Sequence, residues 1–344
     1  MSAAAGALAS ILLGRLAGGG EPSDTHLAIV AAVLAGAEGV ESADIAEGSE
    51  RILEALVEAG AAAEPFLDEA VAVAARWLES EAAGEAGRRY RAYLERHGHR
   101  SLRELDIRQP EWAHDPTPLV RSLQSQLRGR RSGASVRAPE APLPPPPGAE
   151  RFDRIRPLAH AAVRNRERSK SLLVGLTAHF KRAYRALGGR LVAEGRLPDA
   201  DAVYFLFHEE IETLARGADP ELAKRAVARR GLLDYQQSLR FPEVQVGRPQ
   251  PQPIDEAAIE EGVLVGKPVS RGRVEGRVRV VERLEDAEAL EPGEILVAPI
   301  TDVGWTPYFA IIGGLVTDVG SAVSHGAVVA REYGLPAVLN TGTG

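Results

Sequence analysis

One histidine of the sequence lies where an imidazole could accept a phosphoryl group. His325 follows Ser324, a residue type that often caps helices, and precedes the small residues Gly326 and Ala327. The pattern predicts a helix start at which free backbone N–H groups and the positive end of the helix dipole favour an anion. The same field keeps the imidazole neutral, which is its nucleophilic form, and the small neighbours predict an accessible ring. The alternative is a histidine in a first helical turn without any chemistry.

Other residues carry weaker chemical signals. His97 and His99 form a His-x-His pair, but no carboxylate or third histidine stands at ligand spacing, so we predict a polar loop and no metal site. Arg331 lies six positions after His325 on a different helix face, which favours a structural ion pair over a phosphate clamp. A basic stretch at 151–170 could contact phosphate or nucleic acid, but such a run is more often the solvated face of a helix.

The composition is ordinary for a globular protein and excludes several classes of function. The 344 residues carry a net charge of −7 with 41 basic side chains, which argues against a dedicated nucleic-acid binder. Cysteine is absent, which excludes disulfides, thiolate metal sites and cysteine nucleophiles. Because no apolar run has membrane-spanning length, we expect no membrane partner and a cytoplasmic location. The apolar N-terminus is interpreted first as an ordinary helix and second as a targeting segment.

The elements that must position His325 change character along the chain. Helical periodicity dominates the first two thirds, and an apolar stripe that begins at Leu173 and ends at Leu191 predicts a packed helix face. Short β-branched runs separated by Gly and Pro follow, which predict strands of an α/β module at 274–281, 295–298, 315–317 and 337–339. The predicted organisation is a helical region at 1–127, a Pro- and Arg-rich linker or loop at 128–149, a helical region at 150–240, a hinge linker at 241–261 and the α/β domain at 262–344.

The C-terminal segment resembles the phosphohistidine motif of the phosphoenolpyruvate-utilising enzymes, among them phosphoenolpyruvate synthase, pyruvate phosphate dikinase and rifampicin phosphotransferase. Ser321 departs from the pattern, because the family usually has a second glycine there. The segment TDVGWTP, at 301–307, is most similar to the rifampicin phosphotransferase and synthase-like subgroup, and segments 39–46 and 97–112 are similar to the helical domain of that subgroup. The motif residues are Gly320, Ser324, His325, Ala330-Arg331-Glu332, Gly334-Leu335-Pro336 and Ala337-Val338.

The resemblance implies a fold and a set of site residues. It implies a multidomain chain in which a mostly α-helical N-terminal region, the acceptor or substrate domain, precedes a C-terminal α/β (β/β/α swivelling) phosphohistidine domain. His325 is then the residue that becomes phosphorylated, and part of the helical domain borders the acceptor site. The implied supporting residues are Ser324, Gly326 and Gly320, and the implied substrate-proximal residues are His99 and Arg100.

The resemblance also implies a reaction and its partners. The histidine would take a phosphoryl group from ATP, with release of AMP and inorganic phosphate, and the domain would swing to a small-molecule acceptor. We expect no cofactor on this chain alone, because ATP and Mg²⁺ would bind to an ATP-grasp domain in cis or in trans. The chain resembles a fragment that lacks this domain and whose phosphohistidine domain is truncated. Pyruvate, a rifamycin-like hydroxyl and another alcohol remain open as acceptors, and a catalytically inactive remnant that acts as a helical interaction or scaffold protein is the alternative.

Overall fold

The chain folds into two compact units. Unit 1 comprises Met1–Glu104, Pro110–Gly175 and Val265–Gly344, and unit 2 comprises Leu105–Gln109 and Leu176–Leu264. The predicted domain boundaries stay predictions, because these units follow compactness alone and combine the N-terminal helices with the C-terminal module. The computed structural model describes residues 3–18, 20, 23–34, 37, 39–101, 103–131, 147–239, 241, 246–251, 264–282, 284–320 and 324–341.

Helices form most of both units. In unit 1, apolar residues at helical spacing on the third helix, Ile52, Leu53 and Leu56, are fully buried in a core cluster. The helices that begin in unit 1 are α1 Ala3–Ala17, α2 Asp24–Leu34, α3 Glu41–Ala59, α4 Glu64–Asp68, α5 Val71–Glu79, α6 Gly84–His97, α7 Thr117–Arg131 and α8 Arg156–Ala193. Helix α8 continues into unit 2, where α9 His208–Arg216, α10 Pro220–Arg230 and α11 Leu233–Ser238 follow. Among the described residues, no helix has both the length and the apolar character that crossing a bilayer requires.

The predicted linkers fall largely outside the described residues. Residues 132–146 of the first predicted linker, residues 242–245 and 252–261 of the second, and Ser321 belong to that group. Residues 128–131 of the first predicted linker are helical, because α7 extends as far as Arg131.

The buried face of α8 is not the one that the sequence predicts. Leu173, Leu176 and Phe180 are about half exposed, whereas Val174 and Ala178 are fully buried. The helix therefore packs through smaller side chains that lie beside the leucine stripe. The prediction holds only toward the C-terminal end of the stripe, where Leu191 is buried.

Among its described residues, the C-terminal module has a five-stranded sheet and one α-helix, α12 His325–Glu332. Its strand order is β1-β5-β4-β3-β2, with β1 antiparallel to β5 and all other neighbours parallel. The strands are β1 Lys267–Ser270, β2 Val278–Val280, β3 Ile295–Ala298, β4 Gly314–Thr317 and β5 Ala337–Leu339. A helical region followed by an α/β module is therefore confirmed as the fold class. The first predicted strand is shorter than expected, since only three residues of 274–281 pair.

Within unit 1 the C-terminal module packs against α2, α3 and α7. Much of this contact comes from a 3₁₀ segment, Val303–Ala310, that follows β3 and contains most of the TDVGWTP motif. Aromatic side chains of this segment, Trp305, Tyr308 and Phe309, belong to the core of the module itself. The segment thus connects the interior of the module to the helices that it rests on.

Candidate functional site

His325 is the first residue of α12, as the sequence predicts. Ser324 is its N-cap, in extended conformation, and its hydroxyl accepts a hydrogen bond from the backbone N–H of Ala327 at 3.4 Å. A small polar side chain is needed here because the first backbone N–H groups of a helix have no partner within the helix. Strand β4 and this cap therefore place the imidazole at the edge of the sheet where the parallel strands end.

Two glycines beside the histidine are required for close packing. A Cβ atom at Gly326 would lie 2.3 Å from Oγ1 of Thr301, and one at Gly320 would lie 2.7 Å from Cδ1 of Leu339. The backbone freedom of glycine is not needed at position 320, because the φ of Gly320 is outside the left-handed region. Both glycines instead let the α12 start and its loop approach neighbouring side chains.

The imidazole of His325 is covered. Its Nε2 lies 2.9 Å from the hydroxyl oxygen of Thr306, and its ring meets that of Phe309 edge-on with centroids 6.4 Å apart. The residue is only 9% exposed, so the expectation of an accessible ring is wrong for this arrangement. The reason is tertiary: the 3₁₀ segment Val303–Ala310 packs side chains against the ring.

Three cations lie near enough to His325 to affect its charge state. The pKa of His325 lies well below its usual value because of burial first, and then because of the positive charges of Lys170, Arg100 and Arg166. The predicted direction of this pKa shift is therefore correct, but its main causes lie outside α12. A neutral imidazole facing three cations suits a ring that carries phosphate, because the same charges would stabilise a phosphoryl dianion.

A buried carboxylate holds two of these cations in place. Oε1 of Glu104 lies 2.7 Å from Nη1 of Arg100, and Oε2 lies 2.9 Å from Nζ of Lys170. Burial alone would raise the pKa of Glu104, but the two cations lower it below its usual value. Arg166 pairs with Glu167, its neighbour on α8. The interpretation of the basic stretch as a solvated face is therefore wrong at Arg166 and Lys170, whose charges act on the buried histidine.

The two residues predicted to border the acceptor site lie next to this cluster. Arg100 is almost completely buried, and the Nε2 atom of His99 lies 3.5 Å from the hydroxyl of Ser171 on α8, one residue after Lys170. Burial, and then the charge of Arg100, lower the pKa of His99, so its ring is neutral at physiological pH. Contact with an acceptor stays a prediction for both residues.

His97 has carboxylate neighbours that sequence spacing did not reveal. Ligand atoms of Glu41, Asp44 and His97 lie within 4.8 Å of one another, since α3 brings both carboxylates to the end of α6. Oδ2 of Asp44 lies 3.0 Å from Nε2 of His97, but it also contacts Nε of Arg96. A guanidinium thus already neutralises this carboxylate, and the prediction of no metal site stays a prediction.

Sequence reasoning missed Thr306 and Glu104 as members of the site. Thr306 belongs to TDVGWTP, which was used only for the resemblance, although a hydroxyl in a motif of that kind is a signal in itself. Glu104 gives no local signal, because its role depends on the fold bringing α8 beside the turn after α6. Nη1 of Arg331 donates to the carbonyl of Val269 at 3.2 Å, which is a structural contact, and the predicted ion pair stays a prediction.

Comparisons with known proteins agree with this arrangement. Residues 1–185 match the family profile described as the rifampicin phosphotransferase fourth domain, and residues 290–344 match the mobile domain of PEP-utilising enzymes. A rifampicin phosphotransferase of Streptomyces sviceus is 32% identical over 322 residues, which are 87% of this chain and 36% of that protein.

Two further relatives show how the matched region recurs. A rifampicin phosphotransferase of Bacillus cereus is 32% identical over 274 residues, 72% of this chain and 31% of that protein. The prodigiosin synthesizing transferase PigC of Serratia marcescens is 31% identical over 278 residues, 73% of this chain and 30% of that protein. The chain spans about a third of the length of these curated relatives.

Proposed function

Because this chain belongs to the rifampicin phosphotransferase family, we propose that His325 carries a phosphoryl group from ATP to a small-molecule acceptor. The observations that support this proposal are the capped position of His325 at the start of α12 and the cluster of Arg100 and Lys170 on Glu104, whose charges, with that of Arg166, act on the ring. A histidine with only a structural role has no need of three cations in its surroundings. The ATP donor would bind to an ATP-grasp domain, in cis or in trans, and an ATP-dependent reaction places the protein in the cytoplasm.

Uptake of phosphate begins with the neutral ring of His325. A ring nitrogen lone pair attacks the β-phosphorus of ATP, an N–P bond forms, and the P–O bond to AMP breaks. Water then removes the γ-phosphate as inorganic phosphate, which leaves one phosphoryl group on the ring. Over a complete cycle ATP, water and the acceptor alcohol give AMP, inorganic phosphate and the acceptor phosphate. The buried position in this structure does not admit ATP, so the module must leave the helical surface for this step.

Delivery takes place in the arrangement seen here. The acceptor oxygen attacks phosphorus, the N–P bond breaks, and its electron pair returns to the ring of His325. Arg100, Lys170 and Arg166 stabilise the charge on the transferred group, and fixed cations of this kind act most strongly where water is excluded. The hydroxyl proton leaves to a neutral base, a role that we assign to His99.

The acceptor that fits best is a hydroxyl on a mostly apolar molecule. Leu172 and Leu173 follow Lys170 on α8, are 69% and 50% exposed, and offer apolar contact beside the cationic cluster. The relatives are named for rifampicin phosphorylation and prodigiosin synthesis, so the acceptor differs within the group of similar proteins. Pyruvate, a rifamycin-like molecule and another alcohol are therefore compared in the same assay.

Radiolabelling tests the proposal. The purified chain is mixed with the ATP-grasp domain of a relative and ATP labelled at the β-phosphate, and we expect a label on His325 that is labile in acid and stable in base. His325→Ala should abolish it. His208→Ala is the matched control, because His208 is also the first residue of a helix, α9, but is exposed.

The outcomes separate the hypotheses. A label that survives His325→Ala contradicts the assignment of the site. A folded chain that takes up no label supports the inactive remnant. Transfer of the label to an added acceptor identifies that acceptor, and its loss in Lys170→Ala, with labelling retained, supports the role of the cations in delivery.

A further inference from the structure

The TDVGWTP motif makes a contact that the proposed reaction does not use. Oδ2 of Asp302 accepts a hydrogen bond of 2.6 Å from the backbone N–H of Arg103, which is 199 positions away in the chain. Arg103 belongs to the turn after α6, and Asp302 belongs to the C-terminal module, so this bond joins the module to the helical part of unit 1. A carboxylate that accepts from an amide forms a charge-assisted hydrogen bond, which is stronger than one between neutral groups.

The donor of this contact, the N–H of Arg103, belongs to an unusual backbone. Arg103 has a φ of +46°, a left-handed conformation that residues other than glycine rarely adopt. Such conformations persist where the surroundings fix them, and they concentrate at functional sites. Arg103 stands next to Glu104, whose carboxylate holds Arg100 and Lys170. The turn that binds Asp302 is thus the turn that positions the cations.

The other end of the motif reaches the reactive histidine. Thr306, four residues after Asp302, bonds Nε2 of His325. Thr301, the residue before Asp302, packs against the α12 start so closely that only glycine fits at position 326. The segment 301–306 therefore contacts the ring of His325, the helix α12 that carries this ring, and the turn whose Glu104 binds Arg100 and Lys170.

We propose that Asp302 is a positioning residue that holds the C-terminal module in its acceptor-side arrangement. By binding the amide of Arg103 it keeps His325 beside Arg100 and Lys170, and without it the module leaves the helical surface more often. The role of this arrangement in phosphate delivery rests on the proposed function. The hydrogen bond between Asp302 and Arg103 does not depend on it. The simpler view is that Asp302 only stabilises a turn within the module, where its carbonyl accepts from Trp305 N–H at 3.0 Å.

Distance measurements on the chain itself separate these views. The sequence has no cysteine, so Glu58→Cys on α3 and Glu275→Cys in the module, both exposed, provide two spin-label positions. Pulsed electron resonance should give one main distance for the parent. In Asp302→Ala, the ratio of molecules with longer, broader distances to molecules with the main distance should rise about tenfold or more. This is the usual effect of losing a hydrogen bond to a charged group.

Two further variants control the measurement. Asp302→Asn keeps an acceptor oxygen but loses the charge, so it should recover part of the main distance. Glu282→Ala removes an exposed carboxylate of the same module and should leave the distance unchanged. Amide exchange in residues 100–104 should accelerate in Asp302→Ala, while exchange in β3 and β4 stays slow if the module remains folded.

Labelling assays distinguish failure of this inference from failure of the proposed function. In Asp302→Ala, uptake of phosphate on His325 should continue, and delivery to the acceptor should fall. An unchanged distance and unchanged exchange at 100–104 in Asp302→Ala would overturn the role of Asp302, whatever happens to the label. A shifted distance without any labelling of the parent chain would leave the role of Asp302 intact and reject phosphoryl transfer instead.

Discussion

Replacing Gly326 by alanine tests how tightly the histidine is positioned. The new methyl carbon would lie 2.3 Å from Oγ1 of Thr301 and 3.4 Å from Cδ2 of Leu315. The first of these distances is far inside van der Waals contact, and overpacking of this kind costs about 1–3 kcal/mol. Alanine favours a helix over glycine by up to about 1 kcal/mol, which offsets part of the cost. Stability of the single variant alone is therefore a weak test.

A double-mutant cycle isolates the clash. With Thr301→Ala the nearest remaining atom of that residue is its Cβ, 3.7 Å from the new methyl carbon, which is an ordinary contact. Urea unfolding of the parent, Gly326→Ala, Thr301→Ala and the double variant should then give a coupling free energy of about 1–3 kcal/mol, with the double variant more stable than additivity predicts. A coupling below about 0.5 kcal/mol, the usual range of additive sites, would refute the packing argument. Phosphate uptake on His325 should recover in parallel with stability.

Three further predictions concern the surroundings of the histidine. Thr306→Val should lower the free energy of unfolding by about 1 kcal/mol, measured in urea, because a buried hydrogen bond to Nε2 of His325 is lost; an unchanged value would exclude a structural role for the hydroxyl. Glu104→Gln should lower the free energy of unfolding by about 3–5 kcal/mol in the same assay, since it leaves Arg100 and Lys170 without their buried counter-charge. An unchanged value would contradict the role of Glu104 in holding these two cations. Burial lowers the pKa of His97 from 6.5 to about 4, so between these pH values the unfolded chain binds a proton that the folded chain does not. This group should therefore lower the free energy of unfolding by up to about 1.4 kcal/mol per pH unit as the pH falls toward 4. His97→Gln should remove this contribution to the pH dependence.

Features with a local cause could be predicted from the sequence. The cap at Ser324, the helix start at His325 and the strand at 295–298 all depend on short patterns, and the structure has them at the predicted positions. The order of a helical region and an α/β module follows from periodicity in the same way. Each of these features is determined by residues that lie close to it in the sequence.

Features that depend on tertiary packing could not be predicted. Helix α8 buries Val174 and Ala178 in place of the leucine stripe, because the shape of its neighbours, and not its own hydrophobicity, selects the packed face. Glycine is needed at position 320 because the side chain of Leu339 leaves no space there for a Cβ atom. The cations that lower the pKa of His325 come from segments more than 150 positions away, which no local pattern in a single sequence indicates.

The bond between Thr306 and the histidine limits which chemical isomer of phosphohistidine can form directly in this arrangement. If the hydroxyl donates to Nε2, the lone pair of that nitrogen is engaged; if Nε2 carries its own proton, it has no free lone pair. In both tautomers Nε2 cannot attack phosphorus until the ring or the threonine rotates. Phosphorus resonance frequencies of the phosphorylated chain would show which nitrogen carries the group once that rotation has occurred.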